Sequence, residues 1–157
     1  MDTTALESAY THLLDLARGG GFAAPADDDA WTASRLLARV VVGDRLLAAT
    51  TAEVAAGGAA AHSDAPADRT ALLDEVARAH DGLEELIAEL RRGGLVLVRL
   101  VRALDDDVAA RVVSTHLVDG GVTRVNAPMP WSGVLNTHAE VHLPEHAARL
   151  EALQGGG

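Results

Sequence analysis

The sequence predicts an all-α fold: a four-helix bundle with a short β-hairpin or irregular insertion before the last helix. Apolar residues make up 48% of the 157 residues but aromatics only 3%, so the core is built from Leu, Val and Ala, a composition that favours helices. Long segments repeat apolar residues at three- and four-residue steps, the spacing of a buried helix face. One stretch nearer the C-terminus instead reads as two β-rich runs joined at an Asp-Gly-Gly turn signal. At this length the chain fits one domain, residues 1–157, large enough to bury a sizeable core.

The formal charge is −10, from 13 basic and 23 acidic residues, and no Lys/Arg cluster is interleaved with aromatics. That disfavours nucleic acid and anionic membrane surfaces as partners. The lack of cysteine removes disulfides, thiolate metal ligands and cysteine nucleophiles together. There is no basic segment leading into an apolar run, and no span of about 20 apolar residues. The expectation is a soluble cytoplasmic protein, monomer or homodimer, acting on a small molecule.

In chain order, Thr3 or Thr4 caps a first helix carrying Leu6, Ala9, Leu13 and Leu16, which Gly19-Gly20-Gly21 stops. The acidic run Asp27-Asp28-Asp29 sits where a helix N-terminus welcomes negative charge. A second helix follows from about Ala30 to Ala56. Leu36, Val40, Leu47 and Val54 form its core side, interrupted by Arg39, Asp44 and Arg45. Ala59 to Ala67 reads as a loop. A third helix covers about Arg69 to Arg92, with Leu72, Leu73, Val76, Leu83, Leu86 and Leu90 in register and Gly93-Gly94 as its end. Leu95 to Leu104 suits a strand or a helix, and Asp105-Asp106-Asp107 opens a helical turn or loop. Arg111 to Asn126 is the hairpin, Pro128 and Pro130 close the irregular section, and the last helix starts near Trp131 or Ser132.

That last helix carries His138, His142 and His146 at four-residue spacing. Neighbours in this series lie on one side of the rod about 6 Å apart along the axis, so an adjacent pair can share a metal ion. The outer two, about 12 Å apart, cannot both join the middle one on a single ion. The stripe Leu135, Ala139, His142, His146, Leu150 and Leu153 turns His142 and His146 inward and leaves His138 nearer its boundary, as the weaker ligand candidate. The alternative is a pair of satisfied polar residues at a helix interface. Pro144 lacks the N–H that would bond the carbonyl of Glu140, which predicts a kink or wide turn between the two inward histidines.

Two segments carry a family resemblance. Val141-His142-Leu-Pro-Glu-His146-Ala-Ala-Arg-Leu150 places a histidine pair one turn apart before small residues and leucine, and Trp31 through Leu47 forms an apolar second helix. With four long helices around them, they resemble the DinB/YfiT-like superfamily, including the mycothiol-dependent maleylpyruvate isomerases. The resemblance covers nearly the whole chain. It implies a DinB-like four-helix bundle and a divalent metal, zinc or nickel, on His142 and His146 with His138 as a further candidate. It also implies mycothiol or another small thiol, and thiol-dependent transferase, isomerase or hydrolase chemistry on a small molecule.

In that family a Leu-Ala-His segment of the second helix supplies the third ligand, whereas this chain has Leu37-Ala38-Arg39. Arginine stays protonated and offers no lone pair. Three readings follow. A metal site is rebuilt with Asp44, Glu140 or His138; Arg39 pairs with a carboxylate such as Glu140 or binds the acidic group of a ligand; or the chain is a metal-free small-molecule-binding or structural bundle. No protein nucleophile is indicated, because Ser34, Ser114 and Ser132 lack an elbow or triad context.

Overall fold

The computed structural model describes residues 1–24, 31–58 and 60–155. The acidic run at 27–29, the helix start expected at Ala30 and the final two glycines lie outside them. Helix α1 (Thr4–Gly19) ends where Gly20 takes φ 62°, a conformation that favours glycine. Helix α2 (Ala33–Ala55) is capped by Thr32, whose Oγ1 accepts the Arg35 N–H at 3.1 Å. Its Leu36, Val40, Leu47 and Val54 are buried, as the periodicity predicts, and so are Arg39 and Asp44.

The segment expected as a loop contains strand β1 (Ala61–Ser63) and a 3₁₀ turn (Ala65–Asp68). The third helix is divided. Helix α3 (Thr70–Arg78) stops before Gly82, which takes φ 93°, and helix α4 (Leu83–Arg102) then runs straight through Gly93-Gly94. Those glycines do not end the helix because the register continues through Leu90, Leu97, Val98 and Val101, all buried. Gly94 has a packing reason as well: a Cβ there would meet the Tyr10 ring of α1 at 3.0 Å. The Leu95 to Leu104 stretch is therefore helical up to Arg102.

A short helix α5 (Asp106–Ala109) leads into β2 (Val112–Asp119) and β3 (Val122–Pro130), joined by Gly120 and Gly121 at φ 59° and 75°. Both glycines are left-handed, as a tight two-residue hairpin requires. β1 pairs parallel with β2 and β2 antiparallel with β3, with a register shift at Leu117/Val118. This three-stranded mixed sheet overturns the all-α expectation. The fold is α+β: α1, α2, α4 and the C-terminal helix pack together, and the sheet lies beside them. The hairpin was visible in the sequence, but the strand that turns it into a sheet is only three residues long and has no periodicity to detect.

The C-terminal helix is α6 (Trp131–Thr137), a π turn (His138–His142) and α7 (Leu143–Gln154) in succession. Trp131 is fully buried and its indole N–H donates to Thr51 Oγ1 at 3.1 Å, fastening α6 to α2. Among the described residues no helix is long and apolar enough to cross a membrane.

Candidate functional site

The wide turn that Pro144 predicts is present one turn earlier than expected, between His138 and His142. There the Leu143 N–H bonds the His138 carbonyl in the five-residue register of a π turn. The extra residue rotates everything after it. Leu143 takes a fully buried position and His142 and His146 are left half-buried, while His138, ahead of the extra residue and in register with Trp131, Val134 and Leu135, is the inward histidine at 6% exposure. The inward order expected from a regular helix is thus reversed.

All three histidines line one cavity of about 550 Å³, bounded by α2, the hairpin tip and the C-terminal helix. Arg39 enters from α2 and Arg149 from α7, three residues beyond His146, while Arg124 comes from β3. Val40, Leu47, Leu117, Val125 and Val141 supply an apolar wall. Arg39, Asp119 and Arg149 also line a second cavity of about 380 Å³, together with Trp31, Leu36 and Leu153.

Arg39 is the centre of the charge arrangement. Its Nη1 pairs with Asp68, and its Nη2 donates to the Val118 carbonyl at 3.2 Å and to Asp119 Oδ1 at 3.1 Å. Its guanidinium carbon lies 5.8 Å from the Trp31 ring centroid, within cation–π range. Both members of the Arg39–Asp68 pair are buried, so the pair is held by charge and hydrogen bonding in a poorly solvated setting. The sequence reading that Arg39 meets a carboxylate is met by Asp68 and Asp119, whereas Glu140 is exposed.

Asp119 is shared by three arginines. Besides Arg39, Arg149 approaches its two oxygens at 3.5 and 3.3 Å and Arg124 lies 3.5 Å from Oδ2. Partial burial works against its charge, but the hydrogen bond and charge of Arg149, with Arg39 and Arg124, outweigh it and hold the carboxyl below its usual range. The register shift beside it aims both the Val118 carbonyl and the Asp119 carboxylate at Arg39. The tip is anchored separately: Asp68 accepts the N–H groups of Gly120 and Gly121, and Asp64 accepts that of Val118 at 2.7 Å.

Behind the cavity, His138 Nε2 lies 3.1 Å from Asp44 Oδ1 and 3.3 Å from the Tyr10 hydroxyl. Asp44 is 1% exposed, and neither of its oxygens has a well-aligned hydrogen bond, so the approach of His138 is within ion-pair range but off the hydrogen-bond line. Burial, then the Asp44 charge, pushes the Tyr10 hydroxyl well above its ordinary value. His62, which the sequence did not single out, packs edge-on against Trp131 at 5.2 Å and places Nδ1 3.1 Å from Thr50 Oγ1. Burial, followed by His138 and His142, pushes it down to about 4.

Burial also lowers His142, and it takes His146 down to about 3, with the Arg39 charge next in importance. Nδ1 of His146 is buried and has no hydrogen-bond partner among the described residues. Both are uncharged imidazoles at neutral pH, the form that ligates metals, and that form equally accepts or donates a hydrogen bond to a ligand.

The donor set does not fit the metal centre that the resemblance implies. A zinc site needs at least three deprotonated protein ligands, and among the described residues no group of three or more His, Cys, Asp or Glu is placed to hold an ion. Arg39, the residue at the position of the third ligand, is a cation with no lone pair to offer, and its charge disfavours the protonated form of His146. Asp44, the nearest acidic substitute on α2, turns toward His138 and Tyr10.

Of the residues that frame the cavity, the sequence pointed to Arg39 and the three histidines. It did not point to Asp68, Asp119, Arg124 or Arg149 as partners. Arg149 had a usable signal, since it lies about one turn from His146 on the same helix face. Comparison of the chain with protein-family models, with curated proteins and with solved structures finds no match.

Proposed function

We propose that the cavity binds a small organic acid without a metal ion, its carboxylate engaging Arg39 and its body lying against the apolar wall. The observation that carries this reading is Arg39, a buried guanidinium opening onto the cavity beside two uncharged histidines. A guanidinium gives a carboxylate directed, charge-assisted hydrogen bonds, and the Arg39 donor facing Asp119 is Nη2, since Nη1 is paired with Asp68. The mixed lining follows the usual pattern of ligand pockets, an apolar wall with a few convergent polar groups. His142 and His146 add uncharged imidazoles to the same lining.

Titration calorimetry on chelator-treated protein with benzoate and succinate tests it. The expected result is saturable binding that Arg149→Gln and Arg39→Lys each weaken about tenfold or more, the effect of losing one charge-assisted contact. Arg39→Lys retains the charge and loses the directed Nη2 donor. Absence of carboxylate binding would overturn the proposal. So would stoichiometric zinc or nickel in the untreated protein that both His142→Ala and His146→Ala remove, which would restore the metal-dependent, thiol-using reading and direct the search to mycothiol.

A further inference from the structure

The arginines that would receive a ligand already hold a carboxylate of the protein's own. Asp119 lies among Arg39, Arg149 and Arg124, one oxygen facing Arg39 and the other facing Arg124, with Arg149 approaching both. These contacts are loose. Arg149 and Arg124 stand 3.3–3.5 Å away, beyond the usual charge-assisted distance of about 2.7–2.9 Å. By contrast, the Arg35–Asp74 fork elsewhere on α2 closes at 2.9 and 3.0 Å. The Asp119 side chain is 29% exposed, so it has solvent to move into.

Its hairpin does not depend on it. The tip is held through backbone N–H groups bonded to Asp68 and Asp64, and Asp68 keeps its own pair with Arg39. The Asp119 carboxylate can therefore swing away while the Gly120-Gly121 turn and the sheet register stay in place.

We infer that Asp119 is a built-in stand-in for the ligand: an apolar-bodied monocarboxylic acid displaces it, its carboxylate taking the place between Arg39 and Arg149 and its body lying along Val40, Leu47 and Leu117. This rests on the carboxylate-binding reading above and specifies its ligand class and its regulation. The exchange is one carboxylate for another, so the ligand-bound site keeps the charge balance that Asp119 provides in the free protein, with Asp68 still paired to Arg39. An acid without an apolar body lacks the burial that offsets the loss of Asp119 from the site. Arg39, Asp119 and Arg149 border both cavities, so the carboxylate that is displaced stands next to the smaller one on the Trp31 side.

The test is calorimetric titration of the full chain with benzoate, acetate and inorganic phosphate, using wild type, Asp119→Asn and Glu145→Gln, with thermal melting to confirm that each variant folds. Glu145 lines the same cavity and makes no ion pair with these arginines among the described residues, so it reports the general effect of removing a negative charge. If Asp119 excludes the ligand in about nine molecules of ten, its neutralisation tightens benzoate binding about tenfold. The expected result is that gain in Asp119→Asn, a much smaller one in Glu145→Gln, and benzoate favoured over acetate in all three proteins. Benzoate binding that Asp119→Asn leaves unchanged or weakens would overturn the stand-in and leave the carboxylate-binding reading intact. Equal gains in the two variants would overturn it too, as would preference for phosphate. No benzoate binding by either wild type or Asp119→Asn would overturn both readings.

Discussion

The Asp44 carboxylate, on the inner face of α2, lies 3.1 Å from Nε2 of His138, and both side chains are almost completely buried. A lone carboxylate in such a place costs several kcal/mol unless a cation or hydrogen bond compensates it. His138 and the Tyr10 hydroxyl are the groups that reach this part of the core.

Replacing His138 with leucine removes that compensation and leaves Asp44 stranded. Urea unfolding should show a loss of about 3–5 kcal/mol, the cost of breaking a buried pair by deleting one partner. The double change Asp44→Leu with His138→Leu should recover most of it. A single-variant loss below about 1 kcal/mol would show that Asp44 does not depend on the histidine.

The buried pair of Arg39 with Asp68 has a similar liability, with the hairpin attached. Asp68→Ala removes the Arg39 partner together with the acceptor for the Gly120 and Gly121 N–H groups. A loss of about 3–5 kcal/mol is expected, with faster amide exchange at the tip of the hairpin than in α2. Uniform exchange throughout the chain would show that the tip is held by the sheet alone.

Acid should destabilise the protein before its carboxylates titrate. His62 and His146 titrate near 4 and 3 in the folded chain, against 6.5 for the free side chain. Below pH 6.5 the unfolded chain takes up protons that the folded chain refuses. The stability is therefore complete above pH 6.5 and is lost progressively down to about pH 4 for His62 and pH 3 for His146. Each histidine contributes up to about 1.4 kcal/mol per pH unit in that window. Thermal midpoints should be flat from about pH 7 to 9 and fall between about pH 6.5 and 5, and the fall should be shallower in His62→Gln; equal slopes in that variant and wild type would refute the assignment to His62.

Adjacent glycines of α4 should respond oppositely to alanine. A Cβ at Gly93 meets its nearest neighbour, Asp44 Cβ, at an ordinary 3.9 Å, so Gly93→Ala should gain up to about 1 kcal/mol of helix propensity. At Gly94 the added carbon meets the Tyr10 ring at 3.0 Å, and Gly94→Ala should lose about 1–3 kcal/mol through overpacking. Differential scanning calorimetry decides it, and a shift of the same sign in both variants would contradict the tight α1–α4 contact.

What the sequence made legible follows from which forces act locally. The 3- and 4-residue periodicity of α1, α2 and α4 survives in the structure because it expresses which side of each helix meets the core. The Asp-Gly-Gly turn was legible because few residues other than glycine tolerate the backbone of Gly120 and Gly121. Pro144 announced an irregularity, but placing it required knowing that the chain absorbs the defect as an extra residue upstream. That one-residue insertion turns His142 and His146 off the core-facing line and leaves His138, ahead of it, as the inward histidine, which a regular helical wheel cannot represent. The division at Gly82 and the continuation through Gly93-Gly94 show the same limit: glycine marks permission, and tertiary packing decides whether the helix uses it. At the site, Arg39 stood out because it interrupts an apolar face, whereas Asp68 and Asp119 reach it only through the fold, from 29 and 80 residues away.

The parallel pairing of β1 with β2 also governs when the site can exist. It joins segments 53 residues apart at Ser63 and His116, so its loop-closure entropy must be overcome before its hydrogen bonds return anything. The helices rely on near-neighbour contacts and can form earlier. Completion of the sheet therefore governs when the hairpin brings Asp119 and Arg124 to Arg39 and Arg149. In a refolding experiment, helical circular dichroism would recover ahead of amide protection in β1 and β2, which makes that protection the clock for completion of the sheet.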